Sequence, residues 1–227
     1  MTARILPDDE AGRAEAIGVL RTGGIVAFPT DTVYGIAVSP ATPGGIEQLF
    51  HVKQRPPEKG IPLLLGSADQ VLDVGVPNDA SRRLATAFWP GPLTLVLVRR
   101  AGVVGSAAAG ASGAASAATP GAAYGPTPPE FEPTVGVRLP NHACPRALAA
   151  ALGPLPTTSA NLSGGPDALD AATVAATLGD AIDLILDGGR TAGPVASTVV
   201  DCTVDPPTVL RDGVLGSRRI RLALAVE

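Results

Sequence analysis

Aromatic residues make up only 3% of this 227-residue chain. Any core must therefore be built from valine, leucine, isoleucine and alanine. With 45% hydrophobic residues there is enough of them to bury a sizeable one, in one large domain or a domain with an appendage. No apolar run reaches the roughly 18 residues that a membrane span needs. The N-terminus, "MTARILPDDEAGRAEA", is acidic and mixed, which argues against a secretory signal. Cys144 and Cys202 stand far apart without Cys-x-x-Cys or Cys/His spacing. They read as buried thiols in a reducing compartment, the cytoplasm, and not as a disulfide or zinc site. Two histidines, His51 and His142, are too few for a multi-histidine metal centre. A net charge of −4 does not describe a protein held on nucleic acid by bulk charge, although it leaves a local basic patch open. There is no Gly-x-x-x-x-Gly-Lys-Ser/Thr phosphate loop, no Gly-x-Gly-x-x-Gly after a strand and no Gly-x-Ser-x-Gly elbow.

Lysine is the other scarce residue. Of 17 basic residues 15 are arginine, and the two lysines, Lys53 and Lys59, both lie in "HVKQRPPEKG" around Arg55. In a chain that otherwise favours arginine, this points to a need for an ammonium there.

Apolar periodicity gives a helix over residues 10–22, ended by Gly23-Gly24, and a strand over 25–28. A second helix is expected from Thr42 as cap and Pro43 as first residue, ending near Lys53 and Arg55 before Pro56-Pro57. "IPLLL" and "LTLVLVRR" read as strands on either side of a helix at Asp79–Phe88. Residues 101–130 are nearly all Ala, Gly, Ser, Thr and Pro and read as a flexible insertion. Beyond it come a strand at "TVGVRLP", a helix at 143–152, and a short strand entering "TTSANLSGG". A helix at Asp170–Leu178, a strand in "AIDLILDGG", and a hairpin from "STVVDCTV" and "PTVLRDG" complete the pattern. Alternating strands and helices, with neighbouring strands near the C-terminus, make this an α/β domain with a mixed sheet.

The polar residues gather where apolar strands end. "FPTDTVYGIA" places Thr30, Asp31 and Thr32 directly after a buried strand. "KQRPPEK" supplies Lys53, Arg55 and Lys59, and "TVGVR" supplies Thr134 and Arg138. "TTSANLSG" supplies Thr157, Thr158, Ser159, Asn161 and Ser163, "ASTVVD" supplies Ser197 and Thr198, and "VLRDG" supplies Arg211. Taken singly, each has a plainer reading: hydroxyls at strand ends cap their own turns, and lone arginines face solvent. Together, several cations, many hydroxyls and an amide with few carboxylates suit an anionic, hydroxyl-rich ligand. A nucleotide beside a carboxylate-bearing molecule fits that description.

In content and order these segments, with "FWPGPLTLVL", resemble the Sua5/YrdC/YciO family over roughly residues 13–215, apart from the insertion. The resemblance implies one domain over 1–227 of the short form, without the additional C-terminal domain of longer members. Its fold would be a twisted mixed β-sheet with flanking helices and a concave, positively charged face. The implied activity is L-threonylcarbamoyladenylate synthesis from L-threonine, bicarbonate or CO₂, and ATP, with release of pyrophosphate, for the N6-threonylcarbamoyl modification of adenosine 37 in tRNA. Mg²⁺ would accompany ATP, with no organic cofactor. The product would pass to a tRNA threonylcarbamoyl-transferase complex, with weak contact to tRNA or double-stranded RNA as a further option. By the same resemblance Lys53 and Arg55 are catalytic and, with Ser159 and Asn161, form an ATP-binding tetrad. Lys59, Thr134 and Arg211 add nucleotide contacts, and Thr32, Arg138, Thr157 and Ser197 hold L-threonine. Leu64 stands where several longer members have a histidine that contacts threonine. The alternatives are a YciO-type paralogue with weak or no synthase activity, a double-stranded RNA-binding protein, and the carbamoyl-adenylate activity of hydrogenase-maturation proteins.

Overall fold

The computed structural model describes residues 2–54, 60–100, 134–193 and 195–225. Its strands are β1 (Arg4–Pro7), β2 (Val26–Phe28), β3 (Gly35–Ala37), β4 (Leu63–Leu64), β5 (Gly75–Val76), β6 (Leu93–Arg99), β7 (Thr134–Arg138), β8 (Leu155–Ser159), β9 (Leu184–Asp187), β10 (Thr198–Asp201) and β11 (Thr208–Arg211). They form one mixed sheet in the order β1-β9-β2-β3-β8-β4-β7-β6-β10-β11, with β5 paired to β6. The helices are α1 (Glu10–Arg21), α2 (Gly45–Lys53), α3 (Val71–Val74), α4 (Asp79–Phe88), α5 (Ala143–Leu152), α6 (Ala171–Leu178) and α7 (Gly216–Leu224). The expected 101–130 insertion lies outside the described residues.

Side-chain alternation decides what each half of the sheet does. In β2 and β9 both faces are apolar. Val26, Phe28, Leu184 and Leu186 pack with Ala16 and Leu20 of α1 and Leu148 of α5. Ala27 and Ile185 point the other way, with Leu49 of α2 and Val174 and Leu178 of α6. A strand covered on both sides reads as a continuous hydrophobic run, which is why these two were visible in the sequence. In β6 and β7 only one face joins a core: Leu93, Leu95, Leu97, Val135 and Val137 pack with Leu84 of α4 and Ile220 of α7. The opposite face is available for a ligand.

The helix starts follow from their caps. Asp9, Asn78 and Asp170 accept hydrogen bonds from the backbone N–H groups of Gly12, Ser81 and Thr173, which otherwise lack intrahelical partners. The expectation of a helix beginning at Thr42-Pro43 is corrected. The Gly45 N–H donates to the Thr42 carbonyl at 3.1 Å, closing a turn, and Gly44 takes φ +70°. That left-handed residue interrupts helical geometry, so α2 begins at Gly45. At its other end Gln54, φ +50°, turns the chain directly after Lys53.

Leu95 is 1% exposed between β7 and the α4–α7 layer. Leu95→Ala is expected to lower the unfolding free energy by about 2–5 kcal/mol in a urea titration. A loss below about 1 kcal/mol would contradict this packing.

Candidate active site

Thr94, Val96, Gly136 and Arg138, the residues of β6 and β7 that alternate with those facing the helices, line a cleft together with Leu64 and Val199. The cleft holds about 180 Å³ of cavity volume and opens to solvent. Its walls come from strand ends and the loops beside them. Thr30 and Thr32 follow β2, Thr157, Thr158 and Ser159 close β8, Ser197 precedes β10, and Arg211 ends β11.

Arg138 is the most constrained of these groups. Its side chain is 8% exposed and donates to three acceptors: Gly91 O at 3.2 Å, Thr32 Oγ1 at 3.1 Å and Asp31 Oδ1 at 2.5 Å. Thr32 is fixed in turn, because Thr30 Oγ1 lies 3.1 Å from its hydroxyl, accepts from its N–H, and donates to Val33 O at 2.7 Å. The "PTDT" segment is thus a hydroxyl-capped turn and a cleft wall at once. Asp31 Oδ2 is buried without a hydrogen-bond partner among the described residues. Tyr34 ties the same segment to the end of β9: its hydroxyl donates to Gly189 O at 2.8 Å, and burial pushes its pKa up to about 12.

Arg211 enters from the other wall. Its Nε donates to Ser197 O and its Nη2 to Ser197 Oγ, both at 3.1 Å, and Ser197 Oγ lies 2.9 Å from Thr94 Oγ1. Gly213 makes this approach feasible, since a Cβ there would sit 2.4 Å from Ala196 O. Burial lowers the Arg211 pKa, and Asp167 opposes it. Burial also lowers that of Arg138; Asp31 raises it, and Arg211 lowers it further. Two guanidiniums that stay charged and repel each other, Arg138 buried beside Asp31 and Arg211 exposed, suit the cleft to an anionic ligand.

The third feature lies beside the cleft. The Lys53 ammonium sits 2.6 Å from Ser159 O, 2.6 Å from Asn161 O, 2.9 Å from Asn161 Oδ1 and 3.4 Å from Ser159 Oγ. Ser159 Oγ donates to Asn161 Oδ1 at 2.6 Å, and Asn161 Nδ2 donates to Gly165 O at 2.7 Å.

Comparison with known proteins agrees with this architecture. The family model Sua5_yciO_yrdC, described as "Telomere recombination", matches residues 18–213. The chain belongs to the Sua5/YrdC/YciO family. A Mycobacterium tuberculosis member, named provisionally as a threonylcarbamoyl-AMP synthase, is 33% identical over 95% of this chain and 90% of its own length. The Bacillus subtilis threonylcarbamoyl-AMP synthase is 32% identical over 93% of this chain, which spans 56% of that protein. A crystal structure of Pyrococcus abyssi Sua5 complexed with L-threonine superposes with a TM-score of 0.80 at 31% identity, over 99% of this chain and 60% of that one. The α/β class and the mixed sheet with flanking helices expected from the sequence are those of the YrdC fold.

Of the residues singled out in this Sua5/YrdC/YciO member's sequence, the cleft brings together Thr32, Arg138, Thr157, Ser159, Ser197 and Arg211. Lys53 and Asn161 meet behind Ser159. Thr134 lies on the same face of β7 as Gly136 and Arg138 but at the other end of the strand, outside the lining. Arg55 and Lys59 lie outside the described residues. Leu64, which the resemblance sets against a histidine of several longer members, does line the cleft. Sequence reading missed Thr94, whose signal was a lone hydroxyl alternating with leucines, and Asp167 on the wall. It saw Asp31 in its motif but gave it no task. Among the described residues no group of three or more His, Cys, Asp or Glu could hold a metal ion.

Asp31→Ala would leave the Arg138 guanidinium buried without its counter-charge, at a cost of about 3–5 kcal/mol in chemical denaturation. The Asp31→Ala/Arg138→Ala double variant should lose clearly less than the sum of the two singles. Additive losses would mean that the pair is not coupled.

Proposed function

We propose that this protein is an L-threonylcarbamoyladenylate synthase, combining L-threonine, bicarbonate or CO₂, and ATP into threonylcarbamoyl-AMP and pyrophosphate for tRNA modification. The observation that carries this reading is the pair of guanidiniums, Arg138 buried and Arg211 exposed, lining one hydroxyl-rich cleft. The names of its relatives supply the reaction. The residue types suit the chemistry. Threonine's neutral amine adds to CO₂ to give a carbamate. A carbamate oxygen then attacks the α-phosphorus, a new P–O bond forms, and the bond to the pyrophosphate oxygen breaks. No covalent enzyme intermediate is required. The protein's task is to hold two anions side by side and balance the charge on the phosphoryl oxygens.

In this reading Arg138, with Thr32 beside it and Thr157 and Ser197 in the same cleft, receives the amino acid, its guanidinium pairing with the carboxylate. Arg211 and Ser159 receive the nucleotide, helped by Thr134 and by Arg55 and Lys59. Mg²⁺ enters as part of the MgATP substrate. Leu64 gives the amino-acid side an apolar wall where longer relatives have a polar one. The unstable product calls for a transferase complex to accept it, with any tRNA contact made during that hand-off. Two buried free thiols, Cys144 and Cys202, fit a reducing compartment, and the cytoplasm is the expected location. Among the described residues no helix is long and apolar enough to cross a membrane.

The test is turnover of MgATP with bicarbonate. AMP and pyrophosphate should appear with L-threonine, weakly or not at all with L-serine, and not without an amino acid. Bound ATP without threonine-dependent turnover would overturn the reading.

A further inference from the structure

Lys53 is one of only two lysines in the chain, yet its side chain does not reach the cleft surface. It is 1% exposed and is absent from the cleft lining, although Ser159, which it touches, is part of that lining. An ammonium has three N–H donors. Three protein oxygens lie at 2.6, 2.6 and 2.9 Å: Ser159 O, Asn161 O and Asn161 Oδ1. These contacts use its donor capacity. A phosphate oxygen could be reached only by giving one of them up.

The same residue grips the loop a second time. The Lys53 carbonyl accepts from the Ser163 N–H at 2.9 Å. One residue at the end of α2 therefore fixes the chain at 159, 161 and 163. The remaining loop contacts depend on that grip. Asn161 Oδ1, held by the ammonium, accepts from Ser159 Oγ at 2.6 Å, which sets the direction of the Ser159 hydroxyl in the cleft wall. Three oxygens converging on one point repel one another unless a cation sits between them. Without it the turn has no reason to keep this shape.

We infer that Lys53 is a positioning residue: its ammonium clamps the Ser159–Asn161 turn, aiming Ser159 at the nucleotide, and does not itself touch the nucleotide. This rests on the nucleotide-binding reading above. A lysine is required at this position because a compact ammonium with three donors can collect three convergent carbonyl-type oxygens, whereas a planar guanidinium cannot. That accounts for a lysine surviving here in a chain that uses arginine almost everywhere else.

Two experiments test the clamp. In the first, wild type, Lys53→Met, Ser159→Ala/Asn161→Ala and the triple variant are compared for kcat/KM with MgATP and for L-threonine affinity by calorimetry. Lys53→Met should lose on the order of 10²-fold in kcat/KM for ATP. It should keep L-threonine binding within about threefold, since the hydrogen bonds of Arg138 and Thr32 go to other groups than Ser159 and Asn161. In the Ser159→Ala/Asn161→Ala background the same change should cost less than about threefold. A full additional loss in that background would overturn the proposal, as would equal damage to threonine and nucleotide binding, which would mark a general folding defect.

The second experiment covers a Lys53→Met variant that fails to fold. With two lysines, ¹⁵N-lysine labelling of the wild type gives at most two ammonium signals, assigned with Lys59→Arg. The Lys53 signal should be visible in the free protein through its slow exchange, and should stay in place when a non-hydrolysable ATP analogue is added. A missing signal in the free protein, or a large shift on adding the analogue, would contradict the clamp. Failure of the wild type to bind the analogue at all, with the Lys53 signal present, would instead sink the nucleotide reading on which the proposal rests.

Discussion

The cleft depends on keeping the Arg138 guanidinium largely out of water within the field of a second, more exposed one, Arg211. Such an arrangement is costly, because Arg138 loses its hydration and each cation raises the potential at the other. The surrounding structure offsets that cost with built-in acceptors: Asp31, Thr32 and the Gly91 carbonyl for Arg138, and both oxygens of Ser197 for Arg211. Every acceptor sits at a strand end or in a loop. The groups that hold the cations are thus free of ladder hydrogen bonding, and the strands behind them set their spacing.

The sheet makes this possible through its asymmetry. In the β2–β9 half, helices bury both faces. In the β6–β7 half, α4 and α7 pack on one face, and the other carries Thr94, Gly136 and Arg138 into the cleft. Gly136 supplies no side chain, so the floor between the walls stays open. The same strand therefore supplies core on odd positions and ligand surface on even ones. A one-residue shift of register would exchange the two.

Much of this was legible in the sequence, for identifiable reasons. The helix at Asp79–Phe88 and the strand from Leu93 are bounded by strong signals, an asparagine cap and a proline-glycine turn, and both lie where expected. The polar strand ends were legible as a set because they are chemically unusual next to apolar runs. One short strand was not: β3 is only three residues, Gly35–Ala37, and pairs because β2 and β8 flank it. The C-terminal helix α7 earns its place by covering Leu95 and Val200, a tertiary effect that its arginine-rich sequence conceals. The start of α2 was misplaced because a threonine-proline pair looks like a cap until Gly44 is seen in the left-handed region. The burial of Lys53 was invisible, since the sequence marks a lysine as charged and says nothing about which oxygens surround it.

The central claim is that the two guanidiniums divide the work, Arg138 for the carboxylate of the amino acid and Arg211 for the nucleotide. Calorimetry with L-threonine and, separately, with a non-hydrolysable ATP analogue on Arg138→Gln and Arg211→Gln tests it most directly. Arg138→Gln should weaken threonine binding by on the order of 10²-fold while changing nucleotide affinity little, and Arg211→Gln should do the reverse, a contact to a charged group being worth about 1.5–3 kcal/mol. Equal losses of both ligands in both variants would contradict that division, and unchanged binding in both would remove the cleft from the reaction.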